Sequence, residues 1–229
     1  MSQTDVPAAP LVPTGPRARI RQGVEPIARA LGRLGLTPNA LTLIGFAIAV
    51  FAAFFAATQA WLYAGLAVIV GAVFDLFDGA LARATNQTSK LGAFLDSTFD
   101  RWGEGVVYVG LAVGLLEVGF AIGPQLAAAA MASAFMVSYV RAKSESLGFT
   151  PGTGMASIGL APREVRIVIL TLGLIGAGVL YSPTDALRYQ PLWYLVLVGS
   201  LALIAILATI TTIQRTFHVY REARKQEQQ

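Results

Sequence analysis

From Leu34 to Phe74 the chain runs 41 residues without one charged side chain. A bilayer-spanning helix needs about 20 predominantly apolar residues. The run therefore holds two spans, and the polar pair Thr58-Gln59 divides it. The first is predicted over about residues 40–58 and the second over 61–83, opening on Trp61 and Tyr63, aromatic residues of the kind that sit at membrane interfaces. Further apolar stretches predict helices near 93–116, 119–141, 166–182 and 191–214. The expected fold is an all-α integral membrane protein of six transmembrane helices. Composition agrees: 55% of residues are hydrophobic and 13% charged, with mean hydropathy +0.62, whereas soluble domains carry about 25% charged residues.

The same composition removes several chemistries. The chain has no Cys and a single His, His218, so thiolate nucleophiles, Cys-zinc sites, iron–sulfur ligation, a Ser-His-Asp triad and a two-His metal site lack raw material. Chemistry here must run on carboxylates, cations, hydroxyls or an oxygen-bound metal.

Residues 1–15 are Pro-rich, lack apolar periodicity and read as a disordered tail. Over 16–36, Arg17, Arg19, Arg21, Arg29 and Arg33 alternate with Ile20, Val24, Ile27, Ala28, Leu31 and Leu34, and Pro26 is expected to start the regular part. This predicts an amphipathic interfacial helix on an anionic membrane surface, the alternative being a solvated basic arm. A domain of six helices over 37–217 and a basic, polar C-terminal tail over 218–229 complete the division. Six spans put both termini on one side. That side collects 16 of the 17 Lys and Arg residues, only Arg188 lying opposite. The positive-inside rule makes it the cytoplasm.

Four of the six aspartates fall within 26 residues: Asp75 and Asp78 near the end of the second span, Asp96 and Asp100 at the start of the third. The i, i+3 and i, i+4 spacings put each pair on one helix face, and the short polar link RATNQTSKLG makes the two helices antiparallel neighbours. Four carboxylates at membrane depth are costly, and ionisable groups there mark function. Arg83 and Arg101 are expected to neutralise two of them, and an all-carboxylate set without His or Cys suits Mg²⁺ or Mn²⁺. A structural salt-bridge cluster is the alternative. Gly79, Ala82 and Gly92 are small residues that let a ligand approach the backbone or, equally, let helices pack closely.

Written out, the segment is Asp75-x₂-Asp78-Gly79-x₂-Ala82-Arg83-x₈-Gly92-x₃-Asp96-x₃-Asp100. This closely resembles the signature of the CDP-alcohol phosphatidyltransferase family at all eight positions. The resemblance extends to Thr37-Pro38-Asn39 and Thr42 and to the six-helix layout. It implies a membrane enzyme, homodimeric by family resemblance, that displaces CMP from a CDP-linked lipid by an alcohol with two divalent ions. By the resemblance Asp75 and Asp96 share both ions, Asp78 completes one site and Asp100 the other, and Asp100 serves as general base. Asn39, Thr42, Gly79, Ala82, Arg83, Ser89 and Gly92 would contact the CDP-lipid; for the residues opening the first span, helix capping is the alternative.

Ser138, Arg141, Arg163, Arg166 and Arg215 lie at helix ends on the same side as the aspartates. They read either as snorkelling anchors or as a guanidinium cluster for an acceptor phosphate. The second reading is similar to the phosphatidylinositol phosphate synthase branch of the family, with Pro162 a departure where that branch usually has an acidic residue. The expected reaction transfers the phosphatidyl group of CDP-diacylglycerol to a phosphorylated polyol, inositol phosphate first and glycerol 3-phosphate second, at the cytoplasmic face of the cell membrane. No nucleic-acid partner is expected. A Mg²⁺ channel would explain the aspartates but not Gly79, Ala82 and Arg83 at fixed offsets, and a non-catalytic scaffold would explain none of these features.

Overall fold

The computed structural model describes residues 16–119, 121–149, 158–181 and 191–228. The expected tail over 1–15, and residues 182–190 with Asp185 and Arg188, lie outside the described residues, as do the side chains of Arg17, Arg19 and Arg21. Among the described residues the chain is all helical: α1 (Pro16–Arg33), α2 (Pro38–Ala57), α3 (Trp61–Ala84), α4 (Lys90–Glu117), α5 (Ile122–Ser146), α6 (Arg163–Leu180) and α7 (Leu192–Glu227).

Local chemistry sets the helix ends. Thr37 caps α2 by accepting from the Ala40 N–H, with Pro38 at the first helical position. Gln59 takes a left-handed conformation (φ 62°), which closes the α2–α3 turn where the polar pair divides the apolar run. Ser89 caps α4 by accepting from the Gly92 N–H at 2.9 Å. Pro26 does not start a helix but lies inside α1, which begins at Pro16; Pro16 takes the position in the first turn, where a missing N–H costs nothing. The stretch over 218–227 is helical. Its Arg, Glu, Ala, Lys and Gln residues are good helix formers, the Lys225–Glu222 pair adds a contact one turn apart, and α7 runs on through Glu227.

The six helices after α1 close a ring in the order α2, α4, α5, α7, α6, α3 and back to α2, and α1 packs on the outside of α3. Gly110 and Gly114 let α4 press on the α2 backbone: a β-carbon there would lie 2.2 Å from the Ala53 carbonyl oxygen and 2.1 Å from that of Ala56. Inside, Trp61, Tyr108, Leu111, Leu174, Trp193 and Leu197 form the main core. Outside, Phe51, Phe54, Leu172, Val179 and Ile206 are exposed, an apolar surface suited to lipid. Among the described residues three helices, α2, α3 and α7, are long and apolar enough to cross a membrane. Charged residues interrupt α4 and open α6, and α5 is rich in alanine.

Candidate active site

The aspartates converge as their spacing requires. Asp75 and Asp78 on α3 and Asp96 on α4 each offer a carboxylate oxygen, and the three oxygens lie within 4.8 Å of one another. Asp78 is buried, accepts at Oδ2 from the Thr42 hydroxyl at 2.7 Å and at Oδ1 from the Gly79 N–H. Thr42, expected among the CDP-lipid contacts, thus holds a carboxylate across the α2–α3 interface.

Asp100 is not one of that trio but lies beside Asp75, and the two share a cation. Arg163, in the first turn of α6, directs Nη1 to Asp75 Oδ2 and to Asp100 Oδ2, the latter at 2.9 Å. Of the neutralising pair expected from sequence, Arg101 does form an ion pair with Asp100, a longer one than that of Arg163, whereas Arg83 forms none with the aspartates among the described residues. Arg101 donates to the Ser97 carbonyl of its own helix at 2.6 Å and stays 3.7 Å from Asp100. Arg83 is exposed and folds back over Gly79, where an added β-carbon would lie 3.2 Å from its Nη1. Distance along the chain hid the role of Arg163, which is 88 residues from Asp75.

The first turns of α2 and α4 meet beside this cluster. A β-carbon at Gly92 would lie 3.1 Å from Ser89 Oγ and 3.5 Å from Asn39 Oδ1. Asn39, Ser89 and Gly92 are therefore neighbours, although Ser89 spends one lone pair on its capping bond. Half-buried Ala82 follows Gly79 by three residues, on the same face of α3.

Of the five residues expected at an acceptor phosphate, the structure separates one. Arg166 is fully buried, its Nε and Nη2 donating to the two oxygens of Glu104 at 2.9 and 2.8 Å and its Nη1 to the Ala161 carbonyl at 3.0 Å. Every nitrogen of that guanidinium has an acceptor, which makes Arg166 a tie between α4 and α6 and corrects its placement as a phosphate ligand. Glu104 went unremarked in the sequence, though it continues the four-residue spacing of Asp96 and Asp100 on α4. Buried Arg215 donates to two backbone carbonyls, Ile158 at 3.0 Å and Val137 at 2.8 Å. The second bond sets it beside half-buried Ser138 on α5. Arg141 pairs with Glu145 at 2.8 Å on the more open side of α5 and lies within electrostatic reach of Arg215.

A small cavity of about 70 Å³ lies between α2, α3, α4 and α6, lined by Asp75, Asp100 and Arg163 and by the apolar residues Ala49, Val68, Val107 and Leu170. The site therefore joins hard oxygen ligands, cationic side chains and an apolar recess. The donor set fits a divalent metal: carboxylates only, three within reach of one ion, and a fourth whose buried Oδ1, on Asp100, has no partner.

The family model for CDP-alcohol phosphatidyltransferase matches residues 35–172. The chain belongs to the CDP-alcohol phosphatidyltransferase family. An archaetidylinositol phosphate synthase of Pyrococcus horikoshii is 37% identical over 88% of this chain and 93% of its own length. A phosphatidylinositol phosphate synthase of Cutibacterium acnes is 32% identical over 90% of this chain and 96% of its own. Among solved structures, the Mycobacterium tuberculosis phosphatidylinositol phosphate synthase with CDP-DAG bound superposes with TM-score 0.71 at 25% identity, covering 87% of this chain and 94% of that one. The same enzyme with manganese and citrate gives TM-score 0.70 at 26% identity, covering 86% and 88%. Membership makes the chain an enzyme, a phosphotransferase of lipid metabolism, and the carboxylate trio its candidate metal centre.

Proposed function

We propose that this chain transfers the phosphatidyl group of CDP-diacylglycerol to inositol phosphate, releasing CMP. The observation that carries the reading is the meeting of the carboxylate trio with Arg163, a guanidinium from the first turn of α6 set against Asp75 and Asp100. Relatives named for the same acceptor support it.

In this reading Asp75, Asp78, Asp96 and Asp100 hold two Mg²⁺ or Mn²⁺ ions. When bound, the ions neutralise and align the pyrophosphate of the CDP-lipid, the main requirement of phosphoryl transfer. Thr42 and the Gly79 N–H fix the Asp78 carboxylate so that it presents its oxygens without rotating. Asn39, Gly79, Ala82, Arg83, Ser89 and Gly92 flank the nucleotide, small residues making room and Arg83 supplying charge. Ser138, Arg141, Arg163 and Arg215 face the acceptor phosphate. The acceptor hydroxyl oxygen bonds to the phosphorus that carries diacylglycerol, the bond from that phosphorus to the CMP oxygen breaks, and Asp100 takes the hydroxyl proton as attack proceeds.

The reading includes a multi-pass protein of six spans with α1 at the interface. It also places both termini and the site at the cytoplasmic face of the cell membrane, supported by the distribution of Lys and Arg, and a homodimer by family resemblance. The test is CMP release from CDP-diacylglycerol by purified protein, with inositol phosphate, free inositol and glycerol 3-phosphate as acceptors. Release with inositol phosphate alone, abolished by EDTA and restored by Mg²⁺ or Mn²⁺, is expected. Equal use of free inositol, or preference for glycerol 3-phosphate, would overturn the acceptor assignment.

A further inference from the structure

Arg163 is placed on carboxylate oxygens that a metal ion would need. Its Nη1 contacts Asp75 Oδ2 and Asp100 Oδ2, whereas the oxygens of Asp75, Asp78 and Asp96 that cluster for one ion do not include any of Asp100. A guanidinium and a divalent cation cannot share Asp75 and Asp100 without strong repulsion. The two therefore compete at Asp75 and Asp100, while Asp78 and Asp96, for which the structure shows no guanidinium contact, stay open to the ion of the trio.

The pairing is also incomplete. Asp100 Oδ1 and Arg163 Nε are both buried without a hydrogen-bond partner, and among the described residues the ion pairs of Arg163 run through Nη1, while its neighbour Arg166 has an acceptor on every nitrogen. Buried polar groups left without partners are costly, and each of these has a better arrangement available: Asp100 with a cation that takes both oxygens, and Arg163 with an anion that takes Nε and Nη together. The side chain leaves the first turn of α6, directly after Pro162, and its length lets the head move while the helix stays in place.

We propose that Arg163 is an exchangeable counter-ion that couples the metal site at Asp100 to the acceptor phosphate. Resting on the reading above, this gives Arg163 two alternating partners: the Asp75–Asp100 pair, and the phosphate. Acceptor phosphate draws the guanidinium away and opens Asp100 to the second ion. The second ion expels the guanidinium and presents it to the phosphate. By linkage each ligand strengthens the other by the same factor. Asp100 is kept paired with a cation until the acceptor arrives.

The test is Mn²⁺ binding to the purified full-length protein, followed by the spectrum of free Mn²⁺, with and without inositol phosphate. Wild type should bind one ion tightly and a second weakly, and inositol phosphate should tighten the second by about 10-fold. Arg163→Ala should bind the second ion about 10-fold more tightly in the absence of any acceptor. Arg163→Gln is the second variant if alanine yields aggregated protein. Arg163→Lys keeps the charge and should restore weak binding. Arg101→Ala removes an equal charge 3.7 Å from Asp100 without removing the pairing, and should change Mn²⁺ affinity little. Unchanged or weakened Mn²⁺ binding in both Arg163→Ala and Arg163→Gln, or an equal gain in Arg101→Ala, would overturn the coupling while leaving the proposed reaction intact. Failure of wild type to bind Mn²⁺ at all would overturn both.

Discussion

The Thr42 hydroxyl donates to Asp78 Oδ2 at 2.7 Å, joining two buried side chains 36 residues apart on facing helices. A hydrogen bond to a charged group is worth about 1.5–3 kcal/mol, and here it also fixes the direction in which a metal ligand points. Thr42→Val keeps the shape and removes the donor. It is expected to raise the Mg²⁺ concentration needed for half-maximal CMP release by about 10-fold, with Thr42→Ser near wild type. Equal metal dependence in Thr42→Val and wild type would reduce Thr42 to a packing residue.

Asp100 differs from the other three carboxylates in standing outside the compact trio. Asp100→Asn keeps its size and one ligand oxygen and removes the proton acceptor. Its kcat is expected to fall at least about 100-fold, while one Mn²⁺ still binds at the trio. Asp78→Asn, which touches the trio directly, should weaken that ion. Reversal of the two binding results would exchange the roles given to these aspartates.

Much of this site was legible because its signals are local. The spacing of Asp75, Asp78, Asp96 and Asp100 fixes faces on two helices joined by a short link, and that is enough to bring three of them together. The start of the first span was legible for the same reason, Thr37-Pro38 being a cap that can be read from neighbouring residues, whereas Ser89, expected as a nucleotide contact, caps α4, which begins three residues before the expected start of that span. What escaped depends on packing between distant helices. Nothing near Arg163 in the sequence points to Asp75, and nothing near Arg166 points to Glu104. Both arginines sit at a helix end with the same i, i+3 spacing, yet one reaches the carboxylates and the other is buried in an ion pair. The length of α7 was underestimated because hydropathy ends near residue 214 while helix propensity does not.

Packing of α4 on α2 sets the distance between Asp100 and Thr42, and it depends on backbone contact. Gly114→Ala places a methyl group 2.1 Å from the Ala56 carbonyl oxygen, so the helices must separate. Overpacking of this kind costs about 1–3 kcal/mol, and the melting temperature in detergent should fall by several degrees. Gly199→Ala on α7 has no heavy atom within 4 Å of the added carbon and should leave stability unchanged. Equal melting temperatures for both variants would show that α2 and α4 are not in contact at this level.

Arg166 and Arg141 should respond to alanine in opposite ways, although both lie at the arginine-rich side of the site. Arg166→Ala strands buried Glu104, which loses both of its charge-assisted hydrogen bonds. Breaking a buried pair from one side costs about 3–5 kcal/mol, so the variant should be poorly expressed or melt early. The paired change Glu104→Leu with Arg166→Met removes both charges and should recover most of that stability. Arg141→Ala removes a half-exposed pair with Glu145, worth about 0–1 kcal/mol by itself, and should leave the fold intact. If Arg141 grips the acceptor phosphate, its loss raises the acceptor KM by about 10-fold at constant KM for the CDP-lipid, because a charge-assisted contact made in the ground state appears in KM. Arg215→Ala should do both, losing stability through its two carbonyl bonds and acceptor affinity through its charge. An unchanged acceptor KM in stable Arg141→Ala protein would assign that arginine to the membrane surface and shift the phosphate toward Arg163 and Arg215.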